Sequence, residues 1–398
     1  MAARGGVPGR RPDSVLRGRR ALGVLAALVL SGCGSSAPDP SDVPTFRIGV
    51  LAHMTPEMAP VTGTPTLEAA RMAVAELNEE GGLLVDGQRV RVELVAREHD
   101  ARIEGVTTAA RSLINLDSVH VLVGPQFSQH AIPVGAIANR SGVPMISPMS
   151  SNPATTEGRP YVFRLAFLDA DQGEVLARFA RERLELDRVG VVTNLTSLYA
   201  TEVASRFRDH FRELGGDIVE VSYAGGGPEV WRDAFRRVLA QGPDRVLLPL
   251  QRSELEDLMT MIEEEDIQVD LLGSDSWDVL TMERFAAARG AYLSHQWMWN
   301  VPDERVAPFV NRYRELYGAP PRSTAALTYD AVHLMARAAT AAGSLDGMAV
   351  RDALADLPSY RGVSGVIEFD EGNSPRRDVV IGRISAGATV FVARVDAR

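Results

Sequence analysis

The chain contains no lysine; all 42 of its basic residues are arginine. A P-loop lysine and a Schiff-base lysine are therefore excluded. Cysteine is almost absent too. The single one, Cys33, has no partner in the chain, so no internal disulfide forms and no cysteine-ligated metal centre can be built. The seven histidines, at 53, 99, 120, 130, 210, 295 and 333, show no ligand spacing of the His-Glu-x-x-His kind. No Gly-x-Ser-x-Gly elbow and no Gly-x-Gly-x-x-Gly fingerprint occurs. Positive charge is also short, 42 basic residues against 52 acidic, which argues against nucleic acid because phosphate binding needs clustered cations. The run Glu263-Glu264-Glu265-Asp266 reads as a solvated helix end rather than a cation site. The case for an enzyme is accordingly poor, and no cofactor or metal is called for.

The N-terminus carries a different signal. Arg17, Arg19 and Arg20 precede a short apolar run from Ala21 to Leu30. That run falls short of the ~20 residues a bilayer span needs, so it reads as a targeting segment that is removed. It ends in Leu30-Ser31-Gly32-Cys33, which resembles the bacterial lipobox. The resemblance implies cleavage after residue 32 and lipid attachment to Cys33, with the protein held outside the cytoplasm. Residues 1–32 hold six arginines and Asp13, so their removal takes the formal charge from −10 to about −15. Residues 33–44, rich in Ser, Pro, Asp and Gly, read as a flexible tether. The ~350 residues that remain exceed one typical core and predict two domains.

Apolar runs and helical patterns alternate from Phe46 to about Gly273. Strand signals at Phe46–Leu51, Val90–Val95, Val119–Val123 and Val143–Ile146 are separated by helical patterns over Leu67–Leu77, Ala109–Leu116 and Ala131–Asn139. The rhythm restarts after Arg164, with a helix over Gly173–Leu184 and strands at Val189–Val192, Ile218–Val221, Arg245–Leu248 and Val269–Gly273. Longer helices follow from Arg305, Ala325 and Val350, and three short strands close the chain. Such alternation predicts an α/β fold with mostly parallel sheets covered by helices on both faces. Two similar units followed by returning segments predict two lobes built from discontinuous pieces.

The residues also carry a family likeness. Ile48-Gly49-Val50-Leu51, then Ala73-Val74-Ala75-Glu76-Leu77-Asn78 before Gly81-Gly82, resembles the type I periplasmic binding proteins of the leucine/isoleucine/valine-binding class. Val123-Gly124-Pro125 with Ser128, Gly142 through Pro148 into Ser150-Ser151-Asn152-Pro153, Asp171-Gln172-Gly173 and Tyr329-Asp330-Ala331-Val332 follow in the same order. The resemblance implies two Rossmann-like lobes with a ligand cleft between them. It places residues 45–166 and 301–368 in lobe 1, and 167–300 and 369–398 in lobe 2. It further implies capture of a small solute, an amino acid of the branched-chain or a related type, by lobe closure, and delivery to an ABC transporter permease. The same fold also serves ligand-sensing and regulatory envelope lipoproteins, and fold and pocket do not separate the two uses.

Candidate pocket residues follow from position and from the likeness together. Ser128 starts a helix directly after Gly124-Pro125, where free amides and the helix dipole favour an anion; its hydroxyl either caps the helix or faces the cleft. Met149, Ser150 and Ser151 occupy the loop at the carboxyl edge of the sheet, the edge at which open α/β sheets bind ligands. By resemblance the Met149 carbonyl accepts from a ligand ammonium and Ser151 donates to its carboxylate. Tyr199 matches a second-lobe tyrosine that lies against the ligand. Gln251 falls where close relatives carry an aromatic residue, and Asp275 where they hold an acidic partner for the ammonium. His53 and Thr55 lie after the first strand near the expected side-chain subsite, whereas Trp297 and Trp299 read as packing.

Overall fold

The computed structural model describes residues 44–280 and 282–397. The targeting segment and Cys33 lie outside the described residues.

Strand β1 (Thr45–His53) is the centre of the first lobe. Its even-numbered residues Phe46, Ile48, Val50 and Ala52 face helix α1 (Thr64–Glu79), while Leu51 packs on the opposite layer. A strand buried on both faces is what a doubly covered parallel sheet requires. The sheet continues through β2 (Leu83–Val85) and β3 (Gln88–His99), helix α2 (Ile103–Asn115), β4 (Val121–Val123), helix α3 (Ser128–Ser141), β5 (Met145–Ser147) and β6 (Val162–Arg164). Its strand order is β2-β3-β1-β4-β5-β6, parallel except for β2. The apolar pattern gives no strand between Gly81-Gly82 and Val90. The structure forms one because Asp86-Gly87, both at positive φ, turn β2 back onto β3 as a hairpin.

The second lobe begins with α4 (Asp169–Arg178), which starts four residues earlier than the predicted helix and then passes into a wider turn at Phe179–Arg183. Asp171 explains the early start: its carboxylate accepts the Leu168 amide at 3.1 Å. Strand β7 (Arg188–Asn194), helix α5 (Leu198–Glu213), β8 (Asp217–Tyr223), α6 (Pro228–Leu239), β9 (Arg245–Leu248), α7 (Arg252–Glu264), β10 (Leu271–Gly273) and β11 (Tyr292–His295) follow. Val189 and Val191 point to the α4/α5 layer and Val192 to the α6/α7 layer.

The chain then returns. Helices α8 (Val306–Tyr317), α9 (Ser323–Ala342) and α10 (Gly347–Ala355) pack on the first sheet, followed by the small hairpin β12 (Tyr360–Gly362) and β13 (Gly365–Ile367). Strands β14 (Val379–Ser385) and β15 (Ala388–Val395) add antiparallel to β11, which gives a seven-stranded order β15-β14-β11-β10-β9-β7-β8. The chain thus passes between the two sheets after β6, after β11 and after β13. No helix among the described residues is long and apolar enough to cross a membrane.

Candidate functional site

The C-terminal ends of the two parallel sheets face one another, and side chains accumulate there. In the first lobe, β4 runs into Gly124, whose φ is +89° and where a Cβ would stand 2.9 Å from the Leu51 carbonyl. Only glycine allows this close approach. The turn delivers Ser128 to the first turn of α3, with Phe127 as the N-cap residue and no side-chain cap. Of the two sequence alternatives for Ser128, capping is therefore not the one adopted. Its Oγ accepts from Ser150 Oγ at 2.9 Å and from the Asn152 amide at 3.3 Å, which leaves its own proton to donate outward. Ser150 is fully buried and also bonds Thr155 Oγ1 at 2.6 Å. Met149 is half-buried against the core, and Ser151 beside it is 9 % exposed.

In the second lobe, Ser197 caps α5 by accepting from Ala200 N, and this sets Tyr199 in the first turn. The Tyr199 hydroxyl donates to Asp275 Oδ1 at 2.6 Å and accepts from the Ser276 amide at 3.2 Å. Gln296 Nε2 donates to Asp275 Oδ2 at 2.9 Å. Gln172, fully buried, accepts the Asp275 amide at 2.7 Å and Ser294 Oγ at 2.6 Å. Asp275 is thus held from three sides. Burial raises its pKa, opposed by the bonds from Tyr199 and Gln296, and burial with the neighbouring Asp275 keeps the Tyr199 phenol protonated.

One acid links the two sides. Asp169, at the first position of α4, is 4 % exposed, bonds to Ser151 and has its Oδ1 without a partner among the described residues. Burial first, and then the charge of Asp275, push its pKa up to about 7. Gln251 stands apart. It is exposed and caps α7, its side chain taking the Glu254 amide while Glu254 accepts the Gln251 amide at 2.9 Å. Trp297 is core, donating to the Val363 carbonyl at 2.9 Å, and Trp299 is a surface residue beneath Arg314.

The lobes touch across the cleft. Arg252 donates to the Glu57 carbonyl at 3.4 Å, and Ser323 and Arg322 at the start of α9 bind Asp278. A model of the periplasmic binding proteins matches residues 45–389. The chain belongs to that family. A Leu/Ile/Val-binding protein homolog of Brucella melitensis is 23 % identical over 359 residues, covering 89 % of this chain and 92 % of that protein. Among solved structures, a leucine-binding protein of Thermotoga maritima superposes with a TM-score of 0.78 at 26 % identity, over 88 % of this chain and 99 % of the other. The branched-chain amino acid transporter substrate-binding protein of Streptococcus pneumoniae, solved with isoleucine, gives the same four values. The family and these relatives are binding proteins, not enzymes, and the enzyme alternative falls with the family membership.

The sequence pointed to this region of the periplasmic binding protein but missed part of it. Asp169 was invisible because the apolar pattern starts the helix only at Gly173 and leaves Asp169 in a loop. Gln296 follows β11, a strand the apolar pattern did not reveal. Gln172 was present in Asp171-Gln172-Gly173, yet nothing in that triplet says that its amide supports an aspartate about 100 residues further on.

Proposed function

We propose that this binding protein captures an α-amino acid between its lobes and passes it to an ABC transporter permease. One observation supports the reading: Asp169 lies near both Asp275, the firmly held acid of the second lobe, and Ser151 of the serine cluster at a helix N-terminus of the first. Hydroxyl donors over a helix start suit a carboxylate, and the acid suits an ammonium. Ser128 and Ser151 take the carboxylate while Ser150 holds the Ser128 hydroxyl in place, the Met149 carbonyl and Asp275 take the ammonium, and Tyr199 lies against the ligand. Gln251, which the likeness also puts among the ligand contacts, is taken up in capping α7. Residues 45–166 with 301–368 close on residues 167–300 with 369–398, and the lipid on Cys33 keeps the protein at the outer face of a membrane. The isoleucine complex of the Streptococcus pneumoniae relative supports an amino-acid ligand.

A thermal-shift screen of the purified chain against the amino acids tests this. A ligand at 100 times its dissociation constant adds ~2.7 kcal/mol to stability, a shift easily read. An amino acid that raises the melting temperature is expected. A flat screen, together with stabilisation by a deaminated carboxylate, would overturn the reading.

A further inference from the structure

Gln126 stands two residues before Ser128 and is 2 % exposed. Its Nε2 lies 2.9 Å from Thr66 Oγ1 on α1 and 3.2 Å from Thr328 Oγ1 on α9. The first contact fixes which way the amide faces. Thr66 donates its own hydroxyl proton to the Thr62 carbonyl at 2.7 Å, so its oxygen can only accept, and the amide must present nitrogen there. The carboxamide oxygen Oε1 is then left buried with no partner among the described residues. Thr62 belongs to the turn Ala59–Gly63, the part of the first lobe that meets the Asp275–Leu280 segment of the second. Gln126, Thr66 and Thr62 therefore form one polar patch joining the Ser128 loop to the turn opposite Asp275.

The other side of the same sheet edge repeats the pattern. His53, His99 and His130 lie in mutual ring contact at centroid distances of 5.1 to 5.3 Å, all nearly buried. His99 Nδ1 meets the Asp100 carbonyl at 2.6 Å and His130 Nε2 the Ala101 carbonyl at 2.8 Å. Those nitrogens carry the protons, so His99 Nε2 and His130 Nδ1, unpartnered among the described residues, are bare lone pairs. Burial lowers the pKa of all three rings and keeps them neutral. No group of three or more His, Cys, Asp or Glu among the described residues is placed to hold a metal ion. The unpartnered atoms at the first-lobe edge, Gln126 Oε1, His99 Nε2 and His130 Nδ1, are uncharged acceptors, with the carboxylate of Asp100 nearby but bonded to Arg102.

Each class of amino-acid side chain meets this edge differently. A branched aliphatic one leaves the acceptors unsatisfied, which is the costly half of a hydrogen bond. An acidic one adds further lone pairs. A cationic one loses its hydration, and the carboxylate beside the histidines, Asp100, is already engaged by Arg102 at 2.6 Å. A neutral donor, N–H or O–H, pairs with them at no charge cost.

We propose that the side-chain subsite selects a neutral polar amino acid, one with a carboxamide or hydroxyl group, over the branched aliphatic ones, with Gln126 Oε1 as the selecting acceptor. This rests on the amino-acid reading above and narrows it. A site built around a buried acceptor discriminates strongly against ligands that lack the donor. The purified chain should be titrated calorimetrically with glutamine, asparagine, serine, threonine, leucine and isoleucine, alongside Gln126→Met. At least one donor-bearing amino acid should bind tenfold or more tighter than leucine, and Gln126→Met should bring that ratio to about one or invert it. Ser151→Ala, by contrast, should weaken polar and aliphatic ligands alike. If Gln126→Met does not fold, as judged by circular dichroism, Gln126→Asn withdraws the same oxygen by one methylene and should collapse the ratio too. Leucine binding as tightly as every polar amino acid, or a ratio unchanged in the variants, overturns this inference and leaves the amino-acid reading standing. Binding of no amino acid at all overturns both.

Discussion

Arg377 grips Gln296 by its backbone, donating to the Gln296 carbonyl at 3.3 Å, while the side chain of Gln296 holds Asp275 at 2.9 Å. Arg377 also donates to the carbonyls of Leu165, at 2.9 Å, and Ser364. Leu165 and Gln296 lie on the first two stretches that pass between the sheets, Ser364 lies in the hairpin before the third, and Arg377 itself lies on the third, so a single buried guanidinium ties all the crossovers together. Burial lowers its pKa to about 10, which still leaves it charged at neutral pH. Arg377→Met keeps the bulk and strands three buried acceptors, so we expect a loss of roughly 2–4 kcal/mol in urea unfolding. Ligand affinity should fall as well, because the Gln296 support of Asp275 loosens. A variant that loses stability but binds normally would show that the hinge and the site are uncoupled.

The charge pattern of the cleft gives a second prediction. Charge-assisted hydrogen bonds contribute roughly 1.5–3 kcal/mol each, so Asp275→Ala should weaken amino-acid binding by about one to two decades. A deaminated analogue of the same amino acid should be affected far less. Ser151→Ala should weaken every ligand that carries the carboxylate. Calorimetric titration of both variants with both ligands reads all four values. If Asp275→Ala binds the amino acid as tightly as the parent, Asp275 is only a loop acid.

The alternation of apolar runs was enough to show the α/β class, because strands covered on both faces must be nearly continuous in apolar residues, as Phe46–Ala52 are. Boundaries set by side-chain hydrogen bonds were not legible. Asp171 moves the start of α4 by four residues, and Asp86-Gly87 creates a strand with only three residues of its own. At the proposed site, pattern and likeness pointed to residues at strand ends and helix starts, Ser128 and Ser151 among them. Asp169, Gln172 and Gln296 could not, since their partners lie far away in sequence and no local spacing encodes such pairs.

Asp169 makes affinity depend on pH. Its pKa stands near 7 because burial and the charge of Asp275 disfavour the carboxylate. An ammonium arriving beside it favours the ionised form, so the ligated site holds the proton less tightly than the free one. Binding below pH 7 therefore releases a proton, and affinity should fall as pH drops from 8 to 6, by up to about tenfold per unit below 7. Titration in two buffers of different ionisation enthalpy counts the proton directly. Asp169→Asn should flatten the profile, leaving only the part contributed by Asp275. A wild-type affinity that is constant over this range would mean that Asp169 does not sense the ligand.

The stacked histidines act on stability in the same pH range but through a different balance. His99 lies face to face with His53 at 5.1 Å, and burial lowers its pKa to about 4, with the nearby His130 and His53 adding to the effect. In the unfolded chain the ring takes up its proton near 6.5. The native state refuses that proton until about pH 4, so between these values the unfolded state binds more protons and gains on the native one. Stability from this ring is therefore intact above pH 6.5 and lost as pH falls toward 4, by roughly 2–3 kcal/mol for a shift of this size. Asp169 and Asp330 work the other way. Burial raises their pKa values to about 7 and about 6, so the native state binds more protons than the unfolded one and gains stability as pH falls. The profile of the parent protein is the sum of these opposing contributions and does not isolate the stack. The difference between parent and His99→Gln does. The glutamine amide can donate to the Asp100 carbonyl that His99 Nδ1 now meets at 2.6 Å, and it does not titrate. Melting temperatures of the two proteins measured from pH 7.5 to 4.5 should therefore diverge below pH 6.5, with the variant gaining on the parent as the medium becomes more acidic. Parallel curves would mean that His99 takes its proton in the folded state near the ordinary value, and that the stack opens to solvent more readily than its burial implies.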